Sequence, residues 1–229
     1  MLDSLIAEAP RFFTYWNLKF LLEAALTTLA LTAAGCVGGF ALGFLMAALR
    51  RTEGAALWPL RALCLAVTET FRRVPFLVTL FLVFYLFEAL KLGLDTFHVA
   101  LAAVVVIAGA YIAEIVRAGF ESVHQNQWDA AAAMNFGLAT TLRHVVLPQA
   151  WKVILPPAFS FFILFIKDTA LASQIGVVEL TYAGKVLNNK GFSAVLTFGA
   201  VLALYFLMSY PLTRLGRHVE ARLATRRTR

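Results

Sequence analysis

Residues 125–150 read QNQWDAAAAMNFGLATTLRHVVLPQA and separate two long apolar stretches of the chain. Asn126 is a favourable N-cap, and Asp129 lies in the first turn after it, where the positive end of the helix dipole attracts a carboxylate. Asn135 tolerates the left-handed backbone that commonly ends a helix. These signals predict a short helix over about 126–136, in a polar connection between membrane segments.

The body of this predicted helix is small and smooth. Ala130 and Ala131 begin a run of four alanines that favours helix strongly, and Trp128 and Met134 stand near its two ends. Gly137 follows, where the chain has freedom to turn. Such a face suits docking into a groove of another protein, but an ordinary connector helix is an equally good interpretation of these residues alone.

Composition points to a membrane protein. Of 229 residues, 61% are apolar and 14% are charged, whereas a soluble domain carries roughly a quarter charged residues. The uncharged stretches cover 24–49, 74–87, 96–113, 153–166 and 191–213. Three of them reach the roughly 20 residues that cross a bilayer, and the two shorter ones span if their polar continuations face protein. We predict five spans near 20–49, 74–90, 97–119, 150–174 and 192–213, in one domain over 1–229.

Charge distribution sets the predicted orientation. With the N-terminus outside and alternating spans, inside segments hold fourteen Lys and Arg, outside segments hold five, and Lys167 lies within the membrane. This asymmetry follows the positive-inside rule. The net charge of +7 is therefore explained by the membrane surface, with 214–229 as a basic anchor. Nucleic-acid binding is disfavoured because no basic segment is interleaved with aromatic residues.

Cysteines and the N-terminus add two further expectations. Cys36 and Cys64 both lie in apolar context and are expected to pack rather than form a disulfide. Residues 1–16 carry acidic side chains and no short apolar core after a basic start, so we expect no cleavable signal peptide there.

Two patterns within the spans concern packing. Gly35, Gly39 and Gly43 are four residues apart and line one helix face, which lets another helix approach closely. Packing within this chain and packing against a second subunit are equally good readings of that face. Near 97–120, spacings of three and four place Glu114, Arg117 and Glu121 on one side, where ion pairing is the favoured role.

The loop around Asp129 and five further stretches, which follow one another in the same order, resemble ABC-importer permeases of the polar amino acid uptake branch. Asp129-Ala130-Ala131, with Asn135 and later Leu147-Pro148, resembles the EAA loop, although the family carries Glu and Gly where this chain has Asp129 and Asn135. The matching stretches are 71–75, 111–119, 147–150, 167–173 and 178–180. The resemblance covers roughly 20–215, and the order of the stretches makes it specific.

The resemblance implies an all-α membrane protein with the five-helix type I ABC-importer permease fold, in a bacterial inner membrane. The helix at 126–136 would be the coupling helix, seated in a dimeric cytoplasmic ATPase that binds ATP and Mg²⁺. Further partners would be a second permease subunit, identical or paralogous, and a periplasmic binding protein that delivers an amino acid. The N-terminus would be periplasmic and the C-terminus cytoplasmic. The chain lacks a G-x-x-x-x-G-K-[ST] element, so we expect no catalytic residue or cofactor of its own.

Asp168 is the strongest candidate ligand for substrate, because an ionisable side chain inside a span is a functional candidate. Its carboxylate suits the α-ammonium group of an amino acid, although a structural pair with an arginine is the competing role. Phe161 and Phe165 share its helix face, and Thr169 and Ser173 offer hydroxyls. This mostly apolar face implies either a substrate with an uncharged side chain or the less polar half of a heterodimer. The four histidines show no metal-binding spacing, so no metal site is expected.

Three rival functions fit the sequence less well. A membrane enzyme needs a nucleophile, base or metal constellation, and Asp168 stands alone. An ion-coupled carrier usually has more spans and an internal repeat. An exporter or a scaffold built on the same fold would differ from an importer in its dependence on a binding protein and in its effect on uptake.

Overall fold

The protein is described here by a computed structural model that covers residues 2–225, and the described residues are almost entirely helical. The helices are α1 Leu2–Phe12, α2 Tyr15–Leu49, α3 Trp58–Phe71, α4 Phe76–Ala89, α5 Thr96–Glu121, α6 Gln125–Ala133, α7 Leu138–Thr141, α8 Leu147–Asp168, α9 Leu180–Asn189 and α10 Ala194–Thr225. A π-helical turn, Leu142–Val146, joins α7 to α8, and 3-10 turns occupy Ala55–Leu57 and Thr169–Ile175. Arg226, Arg227 and Arg229 of the basic tail lie outside the described residues.

Four helical segments are long and apolar enough to cross a membrane: Tyr15–Leu49, Thr96–Glu121, Leu138–Ile175 and Ala194–Leu223. The segment predicted as a span near 74–90 forms α4, an apolar helix of 14 residues. A helix of that length rises about 21 Å, less than the roughly 30 Å of a bilayer core. The count of five spans, and the single domain over 1–229, remain predictions.

Helix ends differ from the sequence-based boundaries at both termini of the chain. The last predicted span ended at 213, but α10 continues to Thr225, because the Arg, Leu and Ala that follow favour helix. At the other end, α1 is a helix that no pattern had predicted. It stops at Phe12, whose carbonyl accepts a hydrogen bond of 3.0 Å from the Asn17 side-chain amide.

The chain forms two compact units. One unit comprises the segments up to Ala34, Phe76–Ala103 and Ile163–Thr213. Its core gathers Phe12, Leu21, Leu180, Leu187 and neighbouring side chains, all nearly inaccessible to solvent. The fully buried Phe12 therefore ties α1 to the start of α2 and to α9.

The second unit comprises Gly35–Pro75, Val104–Phe162 and the chain from Arg214 on. Its core is built around α5 and α8, with Ile112, Val116, Phe120, Val146 and Ile154 all fully buried. Phe40 of α2 stacks on Trp151 with ring centroids 5.9 Å apart. The predicted loop helix is thus attached to a well-packed helical layer.

The glycine face of α2 packs within this chain, which decides between the two readings of that pattern. A Cβ added to Gly39 would lie 2.3 Å from the Ala108 Cβ of α5. A Cβ added to Gly43 would lie 2.5 Å from the Gly109 carbonyl oxygen and 2.7 Å from the Ala113 nitrogen. The α2 and α5 backbones therefore touch, as small residues in membrane helices allow.

We expect Gly43→Ala to destabilise the protein by about 2 kcal/mol or more, because the added methyl group meets backbone atoms that no rotamer change can move. The matched control is Gly199→Ala in α10, where an added Cβ meets nothing within 4 Å. There the better helix propensity of alanine should leave stability equal or slightly higher. Thermal unfolding in detergent measures both variants, and an unchanged midpoint for Gly43→Ala would contradict the close contact.

The predicted ion pairing on α5 is confirmed and is larger than the sequence suggested. The Glu114 carboxylate accepts a hydrogen bond of 3.0 Å from the Arg117 Nε, and the Arg117 guanidinium also forms a salt bridge with Glu121. Arg72 and Arg50 approach the same Glu114 oxygen at 3.4 and 3.9 Å. Arg72 is thus part of a partly buried charge cluster around Glu114.

Candidate functional site

Helix α6 forms where the sequence predicted a loop helix, but it begins two residues earlier than the predicted N-cap implied. His124 is the N-cap, and its Nδ1 accepts a hydrogen bond of 3.3 Å from the Asn126 backbone N–H. Asn126 is therefore inside the helix. Asp129 accepts from the Gln125 amide at 3.0 Å, a pairing of exposed side chains across one helical turn.

The left-handed backbone predicted at Asn135 is confirmed at the end of α6. Asn135 has φ +60°, and its N–H donates to the Ala132 carbonyl at 2.9 Å. The Phe136 N–H reaches back to the Ala131 carbonyl at 3.0 Å. These two bonds are the Schellman arrangement, in which asparagine replaces the more usual glycine. Gly137 has an ordinary φ of −69° and is the N-cap of α7.

The two faces of α6 have different surroundings. Ala131 is only 1% exposed, because it packs into the chain itself. On the opposite side Asn126, Ala130 and Ala133 are exposed. Met134, at the end of the helix, is 60% exposed. The outward face of α6, defined as Asn126, Asp129, Ala130, Ala133 and Met134, carries mostly small side chains and one carboxylate, and all of its residues are exposed.

Trp128 belongs to the inward side of α6, contrary to the expectation that it flanks a docking face. The Arg51 guanidinium lies 4.8 Å from its ring centroid, and the Phe120 ring packs against it edge to face. Cation–π and aromatic contacts of this kind hold a helix in place. Trp128 and Ala131 therefore position α6 and do not form its outward face.

Asp168 ends α8 and is half-buried. Among the residues that the structure describes, its carboxylate makes neither a hydrogen bond nor a salt bridge, and no arginine pairs with it. Lys167, its neighbour in sequence, is exposed. A membrane carboxylate without such a partner is costly to maintain, which favours a ligand role over a structural one.

The other predicted substrate residues are occupied by contacts within the chain. Thr169 is fully buried and donates to the Ile166 carbonyl at 2.8 Å. Ser173 donates to the Ala170 carbonyl at 2.7 Å and accepts from Lys185 at 3.0 Å. Both hydroxyl hydrogens are thus already used in this structure.

The two predicted phenylalanines are packed as well. Phe165 is 1% exposed and packs against the Phe76 ring at 5.6 Å. Phe161 stacks on Tyr111 with ring centroids 4.9 Å apart. They support α8, and of the five predicted substrate residues Asp168 is the one with an available polar group.

Glu179 is a residue whose individual role sequence reasoning missed. Its carboxylate is fully buried and caps α9 by accepting from the Thr181 and Tyr182 backbone N–H groups at 2.9 and 2.7 Å. The Tyr205 hydroxyl donates to it at 2.9 Å. Burial raises the pKa of the Glu179 carboxyl, while these donors act in the opposite direction. The sequence signal for this cap was an acidic residue directly before the helix over 180–189.

We expect Glu179→Ala to destabilise the protein by about 2–4 kcal/mol, because the variant loses a helix cap and the buried hydrogen bond from the Tyr205 hydroxyl. Glu88→Ala, at an exposed glutamate of α4, should change stability by less than about 0.5 kcal/mol. Thermal unfolding of the two purified variants measures the difference. Equal midpoints would show that the buried carboxylate is not structural.

Among the described residues no group of three or more His, Cys, Asp or Glu side chains is arranged to hold a metal ion. The candidate site therefore has two parts, the helix α6 on its packed support and the Asp168 carboxylate.

Comparisons with known proteins identify the family of this chain. The sequence profile of the family described as binding-protein-dependent transport system inner membrane component matches residues 39–225. The L-cystine transport system permease protein TcyB of Bacillus subtilis is 35% identical over 197 residues, covering 86% of this chain and 83% of the relative. The glutamine transport system permease protein GlnP of Escherichia coli K12 is 34% identical over 208 residues, covering 90% and 94%.

Solved structures share the fold. One chain of an amino acid ABC transporter crystallised with histidines superposes with a TM-score of 0.79 at 26% identity, covering 89% of this chain and 94% of that chain. The inward-facing MetNI methionine ABC transporter superposes with a TM-score of 0.75 at 21% identity, covering 92% and 99%. At that level of identity the second likeness concerns the fold alone.

Proposed function

The chain belongs to the binding-protein-dependent transport system inner membrane components, and on that premise we propose that it is the permease subunit of an ATP-driven importer for a polar amino acid. It is a multi-pass protein of the inner membrane. The observation that carries the proposal is similarity over 86–90% of the chain to permeases of two amino acid transport systems.

Helix α6 is our proposed coupling helix. Its outward face consists mostly of small side chains with the Asp129 carboxylate among them, and a groove of a partner ATPase can accommodate such a face closely. Trp128 with Arg51, and the left-handed Asn135, hold the helix at both ends. A rigid mount is what transmission of movement requires, because a helix on a loose loop would absorb the displacement.

For the membrane topology we propose five spans, with a periplasmic N-terminus and a cytoplasmic C-terminus. The short helix α4 would be the second span along the chain. A 14-residue helix is sufficient where its ends are covered by protein rather than lipid. The excess of Lys and Arg in the segments that would face the cytoplasm supports this orientation.

The proposed substrate contact is made by Asp168, which would accept hydrogen bonds from the α-ammonium group of an amino acid. The two named relatives carry cystine and glutamine in their names, and both are amino acids with this group. Phe161, Phe165, Thr169 and Ser173 would shape and support that part of α8 rather than contact the substrate directly.

The proposed partners follow from the family. They are a dimeric cytoplasmic ATPase that binds ATP and Mg²⁺, a second permease subunit, and a periplasmic amino-acid-binding protein. In this proposal the chain hydrolyses nothing itself and carries no cofactor. It contributes the membrane pathway for the amino acid and the helix that couples this pathway to the ATPase.

The test is purification of the tagged protein from its native membrane in mild detergent, followed by mass-spectrometric identification of bound proteins. We expect an ABC-type ATPase in the eluate, with a second permease if the assembly is a heterodimer. Proteoliposomes of that complex should take up labelled amino acid only with ATP inside and the binding protein outside. An intact preparation without an ATPase, or uptake that needs no binding protein, would overturn the proposal.

A further inference from the structure

The Glu114 carboxylate of α5 is shared by three guanidinium groups, although it has only two oxygens. Arg117, one turn further along α5, donates to both oxygens through its Nε and Nη2 atoms. The oxygen that accepts from Nε is also approached by Arg72 at 3.4 Å and by Arg50 at 3.9 Å. Arg72 comes from the turn after α3, and Arg50 comes from the turn after α2. Two different segments of the chain therefore compete for one acceptor.

Arg72 has a second acidic partner close by. Its Nη1 atom lies 3.8 Å from a carboxylate oxygen of Glu69, one turn earlier in α3. Among the described residues, Arg50 approaches no carboxylate within 4 Å other than Glu114, and its buried Nη1 atom makes no hydrogen bond. A buried donor without an acceptor costs stability, so an arrangement that gives Arg50 an acceptor would be favourable.

The same charges can pair in two ways. In this structure Arg72 is divided between Glu69 and Glu114. With Arg72 entirely on Glu69, the Glu114 oxygen would be open to Arg50, which needs to approach by about 1 Å to reach hydrogen-bond distance. Arg73, the other partner of Glu69, is 72% exposed, so water can solvate its guanidinium when Arg72 takes its place. The second arrangement therefore satisfies the Arg50 donor without leaving Arg72 unpaired.

The two competing arginines lie next to different structural elements. Arg51, adjacent to Arg50, lies over the ring of Trp128 in α6 at 4.8 Å. A displacement of α6 therefore acts on the turn that carries Arg50. Arg72 lies three residues before Pro75, where the chain leaves the second unit and continues as α4. The shared carboxylate thus links the support of α6 to the turn that leads into α4.

We propose that Glu114 is an ion-pair switch, which exchanges Arg72 for Arg50 when α6 is displaced and so releases the turn over 72–75. This inference rests on the proposed function, in which an ATPase displaces α6. Packed helices change between discrete arrangements rather than deforming continuously, and exchange of salt bridges is one form of that change. Each of the two arginines then stabilises a different state of the transporter.

Competition has a signature in the stability of the permease chain itself. When two residues are alternatives for one partner, the loss of both costs more than the sum of the single losses, because each substitutes for the other. We expect Arg50→Met to lower the thermal midpoint by less than about 2 °C in the unaltered protein and by about 4 °C or more in the Arg72→Met background.

The matched control for this cycle is Arg143→Met, at an exposed arginine outside the cluster. Its effect on the midpoint should be the same with and without Arg72→Met. Purely additive midpoints for Arg50→Met and Arg72→Met would overturn the proposal, because two arginines that do not compete cannot exchange on Glu114.

The assembled transporter tests the link to α6. With substrate and binding protein saturating, Arg50→Met should lower the rate of ATP hydrolysis about threefold, because the displaced state loses its ion pair. Arg72→Met should raise hydrolysis without substrate about threefold, because the resting state loses its own. A change in the same direction for both variants would indicate a structural role alone and would overturn the switch. Failure of any ATPase to co-purify would instead overturn the proposed function, while the midpoints still decide whether the two arginines compete.

Discussion

In the Ala133→Arg variant, we expect the permease to remain folded and in the membrane but to lose its ATPase. Ala133 is exposed on the outward face of α6, and an arginine there adds a bulky side chain to the proposed interface. Inserting a large side chain into a closely packed contact costs roughly 1–3 kcal/mol, and each 1.4 kcal/mol is a factor of ten in affinity. Co-purified ATPase should therefore fall by about tenfold or more, and ATP-driven uptake should cease.

The control for this experiment is Ala89→Arg, which makes the same change at the exposed last residue of α4. It should co-purify with the ATPase normally. Ala131→Arg is informative in another way, because Ala131 is buried in the chain and its replacement should lower the thermal midpoint. Normal ATPase recovery with a folded Ala133→Arg protein would show that α6 is not the docking element.

Asp168→Asn is expected to weaken the response of the transporter to its substrate while assembly is preserved. The amide is isosteric with the carboxylate but cannot offer a charge-assisted hydrogen bond to an ammonium group, a bond that contributes about 1.5–3 kcal/mol. The substrate concentration that half-maximally stimulates ATP hydrolysis should rise by about tenfold or more, as measured with the binding protein in excess.

The matched control is Asp95→Asn. Asp95 is an exposed aspartate whose carboxylate accepts the His98 backbone N–H at 2.9 Å, and it precedes α5. Its replacement should leave the substrate response unchanged. If Asp168→Asn gave the same half-maximal concentration as the unaltered protein in an intact complex, Asp168 would be excluded from the substrate site.

Patterns that depend on local chemistry were predictable from the sequence. Of the five spans predicted from uncharged stretches, four are helices long and apolar enough to cross a membrane, because lipid leaves the backbone few alternatives. The left-handed turn at Asn135 and the pairing of Glu114 with Arg117 followed from spacing and residue type. These features are decided within one or two helical turns.

Features that depend on distant partners were not predictable. Which side of α6 faces the chain is set by Arg51, far away in sequence, and by Phe120 of the preceding helix, so Ala131 and Trp128 could not be assigned from α6 alone. The use of the Ser173 hydroxyl depends on Lys185 in another helix. Periodicity describes a helix face but does not identify what lies against it.

The contact of α2 with α5 has a mechanical consequence. At Gly39 and Gly43 the two backbones meet without side chains between them, so no soft layer separates them. Sliding one helix along the other would drive the Ala108 methyl group and the Gly109 carbonyl into neighbouring residues of α2. The pair is therefore stiff in shear, and a force applied to the end of α5 that precedes α6 is transmitted to α2 as a displacement of both helices together.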